Sequence, residues 1–244
     1  MEASQLSSVL DQVNKEGKEK YVHAVFDSIA PYYDLMNVVM TGGMVKLWHR
    51  AFTRHTNLKP GDHSLDVACG TGDLAILTAG QVGSAGKVTG VDFSEEMLKR
   101  ARAKGKNLVM ADLHHLPFRD GCIDGVASVN VFYQLDLPEV FLREVHRVLK
   151  PRGKAVISTP RRGASSLWCN IELIKTAMRN PKLLIDVGKL VECSMVTKKI
   201  IDTNPSAFYD KEELKKLLKD FEVQSIKKAY KGQNWLVIAC KPTK

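Results

Sequence analysis

Long apolar runs are missing from this chain of 244 residues. No stretch reaches the roughly eighteen apolar residues in a row that a membrane helix needs, so no membrane span is expected. The first residues carry Glu2 and lack a basic segment followed by an apolar core, so a secretory leader is not expected and the cytoplasm is the expected address. Cysteine is sparse. Cys69, Cys122, Cys169, Cys193 and Cys240 are scattered, odd in number and free of any C-x-x-C spacing. That pattern indicates neither a disulfide framework nor a zinc module, and no metal site is expected.

Acid is also in short supply: 27 Asp and Glu face 36 Lys and Arg, which leaves a net charge of +9. A basic excess invites a nucleic-acid reading. Here, however, it is spread over residues 15–20, 99–106, 150–154, 161–162 and 211–231, mostly beside Glu or Asp on helical faces. Such faces are solvated, and nucleic acid is not the expected partner. The charge suits an anionic membrane surface or an acidic substrate equally well. What remains is ordinary, with 44% hydrophobic and 26% charged residues, enough for one large α/β domain with attachments.

The informative stretch is Leu65-Asp66-Val67-Ala68-Cys69-Gly70-Thr71-Gly72-Asp73-Leu74. A short apolar strand over residues 64–68 enters a glycine turn, and a helix opens at Asp73. Gly70 and Gly72 let the backbone bend sharply and let a ligand approach the main chain. Open α/β sheets bind nucleotides at such a place, where a strand's carboxyl end faces a helix N-terminus. Cys69 reads as a small packed residue rather than a nucleophile. Gly70-x-Gly72-x-x-Ala75 satisfies the loose dinucleotide fingerprint, and Asp92 ends the next strand where a ribose-binding acid stands. A nicotinamide-dependent oxidoreductase is therefore one reading. Asp66, four residues before Gly70, supports another, because a carboxylate there can meet a ligand ammonium group; its plainer role is to cap the turn. The D-x-x-x-G-x-G text resembles the motif of class I S-adenosylmethionine (SAM) methyltransferases.

The rest of the chain can be taken in order. Residues 1–17 are polar with a weak helical stripe. Val22, Val25, Phe26 and Ile29 mark a helix that Pro31 stops, and a second follows Gly42-Gly43 with Leu47, Trp48, Ala51 and Phe52 on one face. Residues 87–92, 107–112, 123–130 and 154–159 read as strands, with Ser94 capping the helix after Asp92. Residues 137–149 form an amphipathic helix with Leu137, Phe141, Val145 and Val148 inward. His114 and His115 lack a third ligand at metal spacing and read as exposed loop residues. Residues 160–205 exceed what a crossover between strands needs, and read as a helical cap over the substrate side. A helix over residues 210–220 and an antiparallel strand pair close the sequence.

Phe26-Asp27-Ser28-Ile29-Ala30-Pro31-Tyr32-Tyr33-Asp34-Leu35-Met36-Asn37, followed by Trp48, resembles the N-terminal signature of the UbiE-type family of ubiquinone and menaquinone biosynthesis C-methyltransferases. Asp92-Phe93-Ser94-Glu95-Glu96-Met97-Leu98 and Arg147-Val148-Leu149-Lys150-Pro151-Arg152-Gly153 resemble that family too, with Arg152 replacing a glycine. The resemblance covers roughly residues 21–158. It implies a Rossmann-like class I methyltransferase fold: a seven-stranded, mostly parallel sheet with an antiparallel final strand and a helical cap. Residues 1–57 would cover the SAM site, and residues 58–244 would form the core, with the cap at about 161–205.

SAM is the implied cofactor. Tyr33 and Asn37 would close its pocket and Asp66 would meet its ammonium group. Gly70, Thr71 and Gly72 would provide backbone around the methionine part. Asp92 would take the ribose, Phe93 and Met97 would sandwich the adenine, and Asp112 with Leu113 would bind its edge. The end of the fourth strand, at Asn130, should face the methyl group. The implied reaction is methylation of a small apolar or aromatic acceptor, with quinone-pathway C-methylation one candidate. Quinone-pathway members carry an F-G-x-R-N segment where this chain has Asn130-Val131-Phe132-Tyr133-Gln134, so the Arg is absent and Tyr133 is the residue left to orient an acceptor. The oxidoreductase and a non-catalytic SAM-fold partner protein are the competing classes.

Overall fold

A computed structural model describes residues 18–41, 43–104, 107–163 and 208–243, with Lys175 and Met178. The expected surface helix before residue 18 and nearly all of the expected cap lie outside the described residues. Elements are numbered here in chain order. Helices α1 (Lys18–Ile29), α2 (Tyr33–Met40) and α3 (Val45–Thr53) come first. Then follow β1 (His63–Val67), α4 (Asp73–Val82), β2 (Lys87–Asp92), α5 (Glu95–Ala103), β3 (Asn107–Met110) and β4 (Ile123–Val129). Helix α6 (Pro138–Val148), β5 (Leu149–Pro160), α7 (Lys211–Leu217), β6 (Glu222–Ala229) and β7 (Asn234–Cys240) come last among the described residues.

The seven strands form one sheet in the order β3-β2-β1-β4-β5-β7-β6. Strands β1 to β5 are mutually parallel, and β7 runs antiparallel between β5 and β6. A dinucleotide-binding sheet has the order 3-2-1-4-5-6 with no such inserted strand. This arrangement separates the two cofactor readings left open by the glycine motif. The fold is that of the class I methyltransferases.

Helices cover both faces, so the inner strands bury both of theirs. Beyond Lys87, every residue of β2 is buried. One face packs Val126, Ala155, Ile157, Val237 and Ala239 against Phe141, Leu142, Val145 and Val148 of α6. The other packs Ala127, Val156, Leu236 and Ile238 against Phe52 of α3 and Leu74 of α4. Two expected helix faces differ. Leu137 is 56% exposed, because the helix starts one residue later with Pro138 at its first position. On α3 the buried side chains are Val45, Phe52 and Thr53, so Leu47 (61% exposed) and Ala51 face outward.

Candidate active site

The reversal of strand order between β1 and β4 opens the crevice in which α/β sheets hold ligands. At both tips the chain leaves its strand through a left-handed residue, Ala68 after β1 and Asn130 after β4, each at φ 60°. Beyond Ala68 the turn carries Gly70 at φ 52° and Gly72 at φ 81°, and Gly72 caps α4. Asp92, at the tip of β2, binds this turn directly. Its Oδ2 accepts the Gly70 N–H at 2.8 Å and its Oδ1 accepts the Ser94 N–H at 3.0 Å. Ser94 in turn caps α5 by accepting the Met97 N–H at 3.1 Å. Asp92 therefore holds the glycine turn in shape.

Asp66 is 2% exposed, and its Oδ2 has no hydrogen-bond partner. An ionised carboxylate in that position is costly unless a cation comes to it. Burial first, and then the neighbouring Asp92, push its pKa up to about 7 against the stabilising N–H of Ala75. Burial also raises Asp92, opposed by the Ser94 and Gly70 N–H groups. Two adjacent carboxyls, one of them incompletely satisfied, are the chemistry expected of a pocket for a ligand that brings its own positive charge. Cys69 is 8% exposed, and burial, with Asp66 and Asp92 beside it, drives its thiol pKa far up. It is a packed residue.

The segment before β1 lies on this turn. A Cβ at Gly70 would sit 3.3 Å from Cε1 of Tyr33, so the ring rests directly over the glycine. The Thr71 hydroxyl donates to Asp34 Oδ1. Lys104, from the end of α5, reaches Asp34 at 3.0 Å and Asp73 at 2.6 Å. Burial lowers its pKa, but these two carboxylates outweigh that and leave it raised. Asp27 of α1 accepts the Ser94 hydroxyl at 2.5 Å, and Phe26 meets Phe93 edge-on with ring centroids 6.0 Å apart. Tyr32 and Asn37 are both half-buried.

Beside the β2 and β3 tips is a cleft of about 300 Å³. Phe93, Asp112 and Leu113 line it together with His23, His114 and Gln134. Met97, expected to sandwich the adenine with Phe93, is 1% exposed and does not line the cleft; its position on α5 turns it into the interior. His114 also departs from the exposed loop residue expected. Its Nδ1 lies 2.9 Å from Asp112 Oδ1, and its Nε2 is shielded without a partner. His115 is exposed.

At the β4 tip, Asn130 Oδ1 accepts the Asn234 side-chain amide at 2.7 Å, and that amide also reaches the Ser158 hydroxyl at 3.1 Å. Tyr133 falls in the short 3-10 turn Phe132–Gln134, and its side chain lies outside the described residues. Sequence reasoning missed Asp27, Asp34, Lys104 and Asn234, whose partners are all distant in the chain. Asp27 and Asp34 both stand inside the Phe26–Asn37 segment, the one signal that could have found them.

The demethylmenaquinone methyltransferase of Symbiobacterium thermophilum is 46% identical over 149 residues, which is 58% of this chain and 59% of that protein. The 2-phytyl-1,4-naphtoquinone methyltransferase of a Nostoc species is 40% identical over 148 residues, 56% of this chain and 63% of that protein. The aligned part thus spans about three-fifths of the curated relatives' length. Among solved structures, a SAM-dependent methyltransferase from Aquifex aeolicus superposes with a TM-score of 0.59 at 22% identity, covering 81% of this chain and 92% of that one. It supports the fold alone. The sequence model of the ubiE/COQ5 methyltransferase family matches residues 14–240, and this chain belongs to that family.

Proposed function

We propose that this protein transfers the methyl group of SAM to a ring carbon of a lipophilic quinol. The observation that carries the cofactor is the buried, unpartnered Oδ2 of Asp66 beside the glycine turn, an atom suited to a ligand ammonium group. The acceptor class is supported by the relatives, whose names specify demethylmenaquinone and 2-phytyl-1,4-naphtoquinone.

SAM supplies a methyl group made electrophilic by a positively charged sulfur. The chain's own residues bind and orient. Asp66 takes the ammonium group, while Gly70, Thr71 and Gly72 present backbone to the methionine part. Asp92 accepts from the ribose hydroxyls on lone pairs not used by Gly70 and Ser94. Asp112, Leu113 and Phe93 form the adenine end of the cleft. Tyr33, held over Gly70, keeps water from the turn. Positioning the acceptor carbon in line with the methyl group supplies much of the rate. The new carbon–carbon bond would form as the sulfonium–methyl bond breaks, S-adenosylhomocysteine would be the leaving group, and the proton on that ring carbon would pass to water. No Arg stands in residues 130–134 to assist, and Tyr133 is the acceptor-side group in that segment.

The test is incubation of the purified protein with methyl-labelled SAM and a reduced, short-chain demethylated naphthoquinol. The expected product carries the label on the ring and one additional CH₂ in mass. Label confined to tRNA or protein, with the quinol unchanged, would overturn the acceptor class.

A further inference from the structure

Several of the described surface cations stand beside acids. Lys99 pairs with Glu95 and Glu96, Lys150 with Asp124, Arg162 with Asp210 and Glu213, and Lys215 with Glu212. Two stretches of the sequence hold cations without acids. Between Asp34 and Asp62 the sequence has no acidic residue but holds Lys46, Arg50, Arg54 and Lys59. After Glu222 there is again none, while Lys227, Lys228 and Lys231 follow. The fold brings these segments together. Trp48 of α3 packs on Tyr230 with ring centroids 5.1 Å apart, and Lys227 Nζ lies 3.4 Å from His55 Nε2. The pKa of His55 is lowered, first by burial and then by Lys227 and Lys154.

The same face carries exposed apolar groups. Helix α3 seats itself on the sheet through Val45 and Phe52, which leaves Leu47 61% exposed and Met44, just before the helix, 40% exposed. Lys46, Arg50, Ala51 and Arg54 are exposed around them. A helix end with aliphatic side chains ringed by cations, in a stretch of sequence without acids, suits an interface in which apolar groups enter acyl chains while ammonium and guanidinium groups meet phosphates. Nucleic acid would use the cations but gain nothing from Leu47 and Met44. The face also borders the crevice: the turn after Tyr230 leads into Asn234, which bonds Asn130 at the β4 tip.

We infer that the face formed by α3 and the β6–β7 turn docks on an anionic lipid bilayer. Its purpose, to bring a lipophilic acceptor to the crevice, rests on the proposed reaction; the docking itself does not.

Co-sedimentation of the full chain with vesicles tests this. Binding is expected to vesicles of equimolar phosphatidylcholine and phosphatidylglycerol, to weaken with salt, and to be absent from phosphatidylcholine alone. Each cation removed near the surface is expected to lower partitioning about fivefold. The double variant Lys46→Glu, Arg50→Glu should therefore lose well over tenfold, and Leu47→Ser should lose severalfold. Circular dichroism and S-adenosylhomocysteine binding establish that both variants fold. Failure of the parent to bind anionic vesicles, equal binding by the variants, or binding to tRNA in place of vesicles would overturn the inference. Methylation of a soluble short-chain quinol, measured in parallel, separates the two proposals. Vesicle binding without quinol methylation would sink the reaction and leave the docking face standing, and the reverse result would sink only the face.

Discussion

Asp34 and Thr71 stand 37 residues apart in sequence, yet the Thr71 hydroxyl donates to the Asp34 carboxylate and joins the N-terminal helices to the glycine turn. Lys104 completes the junction by bridging Asp34 and Asp73. If this junction holds the turn in its binding form, Asp34→Ala should weaken S-adenosylhomocysteine binding roughly three- to tenfold, the scale of one ordinary net hydrogen bond. Asp34→Asn, which keeps an acceptor for Thr71 but loses the ion pair, should lose less. Calorimetric titration of both variants checks the order. Equal affinity for Asp34→Ala and the parent would remove the junction from cofactor binding.

Asp66 predicts a pH dependence whose sign follows from its environment. Its pKa is raised to about 7 from the ordinary 3.8. Between those values the folded, unliganded protein holds a proton that the unfolded chain has lost, so its stability falls as pH climbs through that window. A ligand ammonium group favours the ionised form, so cofactor affinity should rise as pH approaches and passes 7. The limit is tenfold per pH unit below the pKa. Asp66→Asn should abolish the rising limb and weaken binding at pH 8. Titrations with S-adenosylhomocysteine across pH 6 to 8 decide this, and an unchanged slope in the variant would dismiss Asp66 as its source.

Gly70→Ala tests the fit between the turn and the segment above it. The new methyl group would sit 3.3 Å from the Tyr33 ring at a backbone φ of +52°, so it brings both strain and a push on Tyr33. A cost of about 1 kcal/mol in stability is expected from the backbone alone. Cofactor affinity should fall more than stability does, because Tyr33 is displaced from the turn. Chemical denaturation and titration, run on the same preparation, separate the two effects.

Arg147 predicts a stability effect that reaches the cleft. Its guanidinium donates to Glu144, Asp120 and the carbonyl oxygens of Leu116 and Phe118. Glu144 also accepts the Leu116 N–H at 2.8 Å, so the pair clamps the loop that follows Asp112 and Leu113 onto α6. Arg147→Ala should cost about 1–3 kcal/mol, the scale of charge-assisted bonds left without a partner in a half-exposed site. Arg147→Lys should recover little of it, because one ammonium cannot span so many acceptors. Denaturation midpoints of the two variants provide the check.

How much of this could be read in advance depends on the range of the interaction. Lys87–Asp92, the helix start at Asp73 and the Ser94 cap were legible because each is written in adjacent residues: an apolar run ending in an acid, a glycine before a helix, a serine before two glutamates. The outward face of α3 was not. Leu47, Trp48, Ala51 and Phe52 share a helical stripe, but the sheet accepts Val45 and Phe52, and which stripe is buried depends on the partner surface. Met97 misled for a similar reason, since spacing placed it beside Phe93 without saying that α5 turns it inward. Asn234 was invisible: its partner Asn130 is 104 residues away, and a single asparagine at the start of a strand carries no local signal.

The placement of β7 bears on how the chain must assemble. Synthesis delivers β6 before β7, yet β7 lies between β5 and β6 and, among the described residues, supplies every strand partner that β6 has in the sheet. Until residues 234–240 emerge, β5 presents an unpaired edge and β6 has nowhere to dock. A nascent or truncated chain that stops short of them would expose that edge to neighbouring molecules. Aggregation of such fragments would therefore be a property of the sheet's wiring, whatever the strength of the cofactor site.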